Sequence, residues 1–105
     1  MAADISEFVG KSVLVVEDVP SMRQLLVRLL QEIGFSPVLH SEDGAEAMGR
    51  IENATQPIDL VVCDLEMPII NGIEFIQMVR RHADPGVAKL PVIVVSWLPV
   101  SLVSV

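Results

Sequence analysis

The stretch at residues 60–72, LVVCDLEMPIING, decides how this chain folds. Four apolar residues lead directly into Asp64, and the pair Asn71-Gly72 follows as a turn signal. A short apolar run bounded by turn signals is typical of a strand buried on both faces of a sheet. Asp64 is therefore predicted to lie where a central strand ends and a loop begins. Parallel α/β sheets gather their chemistry at this end of their strands.

The length and charge of the chain narrow its class. The 105 residues suffice for one domain, and the formal net charge is -7. This charge argues against a nucleic-acid ligand, which requires clustered Lys and Arg, and suits cation binding. No apolar run approaches the roughly 20 residues of a membrane span, and the first residues lack the features of a signal peptide. The single cysteine, Cys63, excludes an internal disulfide and is expected to pack in the core of a cytoplasmic protein.

The hydrophobic pattern predicts alternating strands and helices after a polar lead-in at residues 1–11. We expect strands over 12–16, 35–40, 60–64 and 90–95, and helices over about 20–33, 45–53 and 72–82. Apolar stripes at helical spacing are predicted to face the core, comprising Met22, Leu25, Leu26, Leu29, Leu30 and Ile33 in the first helix and Ile73, Phe75, Ile76 and Val79 in the third. The order β-α-β-α-β-α-β predicts an α/β fold with parallel strands and helices on both faces of the sheet.

Three of the four predicted strands end in polar side chains, which are Glu17-Asp18, Asp64 and Ser96. If these strands are neighbours, their carboxyl ends lie side by side and the polar groups converge in one pocket. Carboxylates within a few ångströms repel one another unless a cation is bound. Mg²⁺ prefers oxygen ligands, so the sequence predicts a magnesium site at this edge.

In these residues the chain resembles the response-regulator receiver domain of two-component signalling, and more closely its chemotaxis-regulator-like members. Residues 13–18 resemble the family's first strand and acidic pair, with Arg23 five residues on. Residues 64–68 followed by Asn71-Gly72 resemble the phosphoacceptor loop, and residues 92–96 resemble the strand that ends in the switch hydroxyl. The resemblance covers residues 12–96 and implies a flavodoxin-like, doubly wound parallel sheet with strand order 2-1-3-4.

The resemblance also implies a role for each site residue. Asp64 would be the phosphoacceptor, taking a phosphoryl group from a sensor histidine kinase or a phosphotransfer protein. Asp18, Asp64 and the backbone carbonyl of Glu66 would bind Mg²⁺, and Glu17 would act through a water molecule. Ser96 would be the switch hydroxyl that bonds a phosphoryl oxygen. Such a domain is a signalling module with at most weak self-dephosphorylation, not an enzyme with its own substrate.

The chain departs from the family after Ser96. The family continues with another helix, strand and helix, whereas here residues 97–105 form an uncharged, mostly apolar tail. The family's active-site lysine has no counterpart, since Lys11 and Lys89 precede their strands. Losing one preorganised partner of this kind costs about 3–4 kcal/mol of transition-state stabilisation, so we expect Mg²⁺ binding with impaired phosphorylation. The tail is expected to form an extra strand or one exchanged in a homo-oligomer, because the fourth strand otherwise leaves an open edge.

Two other functions compete with this prediction. A degenerate receiver would work as a phosphorylation-independent interaction or dimerisation module, which the missing lysine favours and the intact Asp18, Asp64 and Ser96 oppose. A Mg²⁺-dependent phosphatase would want a second aspartate two residues after Asp64, where the chain has Glu66. A nucleotide-binding function is disfavoured, because no Gly-rich phosphate loop follows any strand.

Overall fold

The computed structural model describes residues 5–97 and the backbone of residues 100–104. The rest of the expected lead-in and tail, residues 1–4, 98–99 and 105, lie outside the described residues. The strands are β1 (Val13–Val16), β2 (Val38–Ser41), β3 (Leu60–Asp64), β4 (Val92–Trp97) and β5 (Val100–Ser104). The helices are α1 (Pro20–Ile33), α2 (Gly44–Glu52), α3 (Gly72–Arg80) and α4 (Pro85–Ala88), after a 3-10 helix at Ile5–Phe8.

The strands form one sheet in the order β2-β1-β3-β4-β5. The first four are parallel, which confirms the flavodoxin-like fold with order 2-1-3-4 and places the Asp64-bearing strand in the middle. The register pairs Val16 with Cys63 and Asp64 with Val95, so β1, β3 and β4 end at nearly the same level. Their carboxyl ends therefore form one edge on which polar groups can meet.

The apolar tail continues the sheet as an antiparallel strand. β5 pairs with β4 from Ile93 opposite Ser104 to Trp97 opposite Val100. The expectation of an extra strand is therefore confirmed for residues 100–104. The edge of β4 that we expected to be open is paired with β5 of the same chain. A second copy that adds a strand on this side of the sheet would therefore have to pair with the outer edge of β5.

Helices cover both faces of the sheet, as the β-α alternation predicted. One face packs against α2 and α3 in a cluster that includes Leu14, Ala47 and Phe75. The other packs against α1 in a smaller cluster formed by Val13, Val15, Leu26, Leu30, Phe35, Val62 and Val95. Successive residues of a strand belong to the two clusters in turn, because side chains point alternately to the two faces of a pleated strand.

The predicted helix boundaries agree with the structure to within two residues, but the apolar stripes are narrower than predicted. On α1 only Leu26 and Leu30 are buried, whereas Leu25, Leu29 and Ile33 are 37–46% exposed. On α3 the outward residue is Ile73, at 47% exposed. A single layer of sheet reaches only part of a helix surface, so the flanking apolar positions remain at the surface. The short helix α4, which Asp84 caps, lies between α3 and β4, where no helix was predicted.

Candidate functional site

The acidic pair follows β1 directly and points into the carboxyl edge of the sheet. Glu17 is fully buried, and Asp18 is half-buried. Oxygen atoms of Glu17, Asp18 and Asp64 all lie within 4.8 Å of one another. The predicted convergence of these three carboxylates is therefore present in the structure.

Asp64 is the last residue of β3 and is 3% exposed. One of its carboxylate oxygens, Oδ1, accepts a hydrogen bond from the backbone N–H of Glu66 at 3.2 Å. The chain continues alongside β4, because Leu65 donates its N–H to the carbonyl of Val95 at 2.8 Å. These two bonds fix the direction of the carboxylate at the strand end.

The loop after Asp64 is closed by the turn pair that the sequence singled out. Gly72 donates its N–H to the carbonyl of Leu65 at 2.9 Å. A Cβ atom at Gly72 would lie 2.5 Å from the carbonyl oxygen of Asp64, so only glycine fits. Asn71 then caps α3 through a reciprocal capping box with Glu74. The loop therefore holds Asp64 by backbone contacts on both sides.

Burial and mutual repulsion perturb the carboxyl groups of Glu17 and Asp64. Burial raises the pKa of Glu17 from 4.5 to about 7, against the opposing effect of hydrogen bonds from the Val19 N–H and the Trp97 indole. Burial also raises the pKa of Asp64, and the charge of Asp18 adds to this increase. The contact between Glu17 and Asp64 raises the pKa of Glu17 further and lowers that of Asp64, so the two carboxyl groups titrate together.

The residues present fit a hard divalent cation. Asp18 Oδ1 is buried and, among the described residues, has no hydrogen-bond partner. Among the described residues, the carbonyl of Glu66, two residues after Asp64, accepts no backbone hydrogen bond. An orphaned carboxylate oxygen among three neighbouring carboxylates offers the kind of oxygen donors that Mg²⁺ takes.

Ser96 lies one residue beyond Val95, the partner of Asp64 in β4, and is 8% exposed. The topology therefore brings it next to the end of β3, but within the described chain its hydroxyl bonds to none of the three carboxylates. Lys11 and Lys89 precede β1 and β4, at the opposite edge of the sheet. Neither lysine reaches the site, as the sequence predicted.

Two side chains at the site were not assigned a role from the sequence. The Arg23 guanidinium donates through one nitrogen, Nη1, to the carbonyls of Glu17 at 2.9 Å and Asp18 at 3.5 Å. It thus braces the backbone of the acidic pair and does not neutralise the carboxylates. The indole Nε1 of Trp97 donates to Glu17 Oε2 at 3.1 Å. The sequence spacing of five between Asp18 and Arg23 was a usable signal, whereas nothing in the sequence pointed to Trp97.

Cys63 and the two histidines take no part in the acidic cluster. Cys63 is fully buried, and burial together with the charges of Asp64 and Glu17 raises the pKa of its thiol to about 12. The thiol therefore stays protonated and packs in the core, as predicted. His82 lies 2.9 Å from Glu52, remote in sequence from the acidic edge, and His40 is exposed.

Comparison with known proteins shows the same fold. The family model described as "Response regulator receiver domain" matches residues 13–99. The "Regulator of RpoS" of Escherichia coli K12 is 35% identical over 88 residues, which are 84% of this chain and 24% of that relative. The chain therefore spans about a quarter of the length of this relative.

Solved structures give the same result. The chemotaxis protein CheY4 of Vibrio cholerae is 30% identical, with a TM-score of 0.71, covering 82% of this chain and 68% of that one. A response regulator receiver protein of Pseudomonas putida is 28% identical, with a TM-score of 0.73, covering 84% and 69%. The receiver domain of the histidine kinase CKI1 from Arabidopsis thaliana, solved with Mg²⁺ and BeF3-, is 29% identical, with a TM-score of 0.69, covering 89% and 70%. Taken together with the acidic edge, these similarities show that the chain belongs to the response regulator receiver domain family.

Proposed function

We propose that this receiver domain accepts a phosphoryl group on Asp64 from a histidine kinase or a phosphotransfer protein. The observation that carries the proposal is the acidic edge, where oxygens of Glu17, Asp18 and Asp64 lie within 4.8 Å and Asp18 Oδ1 is buried without a partner. The similar receiver domain of CKI1 was solved with Mg²⁺ and BeF3-.

Asp64 is suited to be the nucleophile. Its Oδ1 accepts a hydrogen bond from the Glu66 N–H, so the second oxygen is the one that would attack a phosphorus atom. The carboxylate is almost fully buried, and in a site with little water electrostatic contacts are stronger than in bulk solvent. In-line attack by this oxygen would form an acyl phosphate and release the donor group.

Asp18, Asp64 and the Glu66 carbonyl are the residues that would hold Mg²⁺, with Glu17 acting through a water molecule. The ion would supply positive charge against the equatorial phosphoryl oxygens. Asp18 contributes the orphaned Oδ1, and Arg23 holds the backbone that carries it. Ser96, next to the end of β3, would donate its hydroxyl to a phosphoryl oxygen.

Phosphorylation of these 105 residues is proposed to be slow, because no lysine lies at the acidic edge. The lack of one such donor would lower the rate of phosphoryl transfer by about 10²–10³-fold. We propose a cytoplasmic signalling domain that turns over no substrate of its own and at most dephosphorylates itself weakly.

The test is incubation with Mg²⁺ and acetyl phosphate, followed by intact-mass measurement over time. We expect slow, partial gain of one phosphoryl group by the wild-type chain and none by Asp64→Asn. Asp84→Asn is the matched control, because Asp84 caps α4 and asparagine caps equally well. Rapid and complete phosphorylation would refute the impairment, and equal phosphorylation of Asp64→Asn would refute the assignment of the phosphoacceptor.

A second function is favoured by the absence of a lysine at the acidic edge of these 105 residues. The domain would then act by protein–protein contact without phosphorylation, and the outer edge of β5 is where a second copy could add a strand. No mass gain in the wild-type chain, together with a dimer at tens of micromolar by light scattering, would support this function over the first. A monomer under the same conditions would count against the homo-oligomer.

A further inference from the structure

The tryptophan that follows Ser96 reaches across the acidic edge. The indole Nε1 of Trp97 donates a hydrogen bond of 3.1 Å to Oε2 of Glu17, a residue 80 positions earlier in the chain. The ring itself is partly buried and packs on the apolar cluster under α1 that contains Val15, Val62 and Val95. Trp97 therefore joins the apolar layer to a carboxylate of the site.

The position of this bond in the sheet places it beside Asp64. Glu17 follows β1 and Trp97 ends β4, and β3 lies between these two strands. Neighbouring strands are about 4.8 Å apart, so the bond bridges roughly twice that distance between backbones and crosses the carboxyl end of β3. Asp64 is the last residue of β3. The bond therefore spans the sheet edge at the strand end that carries Asp64.

Glu17 is held from two directions. Its Oε1 accepts from the backbone N–H of Val19 at 3.1 Å, and its Oε2 accepts from Trp97. The side chain is 0% exposed, so bulk water cannot replace either donor. An indole N–H can only donate, and it therefore favours the carboxylate form of Glu17 without adding a charge that would compete with a cation.

We propose that Trp97 is a positioning residue for the divalent-ion site. Its N–H holds the Glu17 carboxylate in the orientation in which it can accept from a metal-bound water. The inference rests on the proposed function, because it concerns the same ion. Removing an outer-shell donor of this kind typically lowers metal affinity by 10–100-fold. Because the hydrogen bond from Val19 to Glu17 remains when Trp97 is replaced, we expect a loss near the lower end of this range.

The first test measures Mg²⁺ binding by calorimetry for the wild-type chain and for Trp97→Phe, which keeps an aromatic ring and removes the N–H. We expect about tenfold weaker binding. Leu30→Val is the matched control, because it loosens the same apolar cluster and bonds to no carboxylate; its affinity should equal that of the wild type. An affinity of Trp97→Phe within twofold of the wild type, or a tighter one, would overturn the inference.

The second test needs no variant. Trp97 is the single tryptophan of the chain, so a ¹⁵N-labelled sample gives one indole Nε1–H cross-peak. We expect this peak to shift during a Mg²⁺ titration with the same midpoint as the calorimetric curve. A peak that stays in place while Mg²⁺ binds would overturn the role of Trp97 alone. A wild-type chain that binds no Mg²⁺ in calorimetry would overturn the proposed function as well.

Discussion

The raised pKa of the buried Glu17 carboxyl group leads to a quantitative prediction about stability and pH. A carboxyl group whose pKa is about 7 in the folded chain and 4.5 in the unfolded chain binds its proton more tightly when folded. Its contribution is therefore fully present below pH 4.5 and is lost as pH rises through 7. At 1.36 kcal/mol for each pKa unit, the loss reaches about 3 kcal/mol at pH 8. The raised pKa of Asp64 acts in the same direction.

We therefore expect the free energy of unfolding of the metal-free chain to fall by a few kcal/mol between pH 5 and pH 8. Urea unfolding in the presence of a chelator measures it. Glu17→Gln should remove more than half of this slope and make the chain more stable than wild type at pH 8, because the buried charge is gone. Mg²⁺ should restore stability to the wild-type chain at pH 8 and much less to the variant.

The control is Glu32→Gln, which removes the same charge from an exposed position on α1 and should leave the slope unchanged. A metal-free wild type whose stability is constant or increases from pH 5 to pH 8 would refute the reasoning. A Glu17→Gln variant with the full wild-type slope would show that the slope arises elsewhere.

Two further substitutions test the loop after Asp64. Ile69 has a φ of 70° and is 97% exposed, so Ile69→Gly should raise the free energy of unfolding by about 1 kcal/mol and shift the urea midpoint upward; an unchanged or lower midpoint would contradict the strain. Gly72→Ala should lower stability by more than about 2 kcal/mol, because its Cβ would collide with the Asp64 carbonyl. The matched Gly49→Ala has open space within 4 Å and should stabilise α2 by up to about 1 kcal/mol; equal effects of the two glycine substitutions would refute the close approach.

Most of the fold could be predicted because local patterns and topology agree. The apolar run before Asp64 is short and bounded by turn signals, which favoured a buried strand, and the alternation of strands and helices predicted parallel pairing. The acidic edge followed from the same argument, since carboxyl ends of parallel neighbours share one side of the sheet. The Asn71-Gly72 pair likewise specified both the turn and the start of α3.

The parts that the sequence did not predict depend on long-range geometry. The hydrogen bond from Trp97 to Glu17 joins two strands that are separated by a third, and the hydrophobic periodicity of the sequence gives no indication of such a contact. The exposure of Leu25 and Leu29 depends on how much of α1 the sheet covers, which a helical stripe cannot show. The direction of β5 was also open, because its residues have β propensity without clean alternation.

The central claim is that the carboxylates of Glu17, Asp18 and Asp64 form one divalent-ion site. A Mg²⁺ titration followed by the backbone ¹⁵N resonances of Asp64 and Glu66, in the wild type and in Asp18→Asn, tests it most directly. The account predicts saturable shifts of both resonances in the wild type and a large loss of affinity in Asp18→Asn, which neutralises the residue with the orphaned oxygen. Equal affinity in the two proteins, or no shift at either residue, would contradict it.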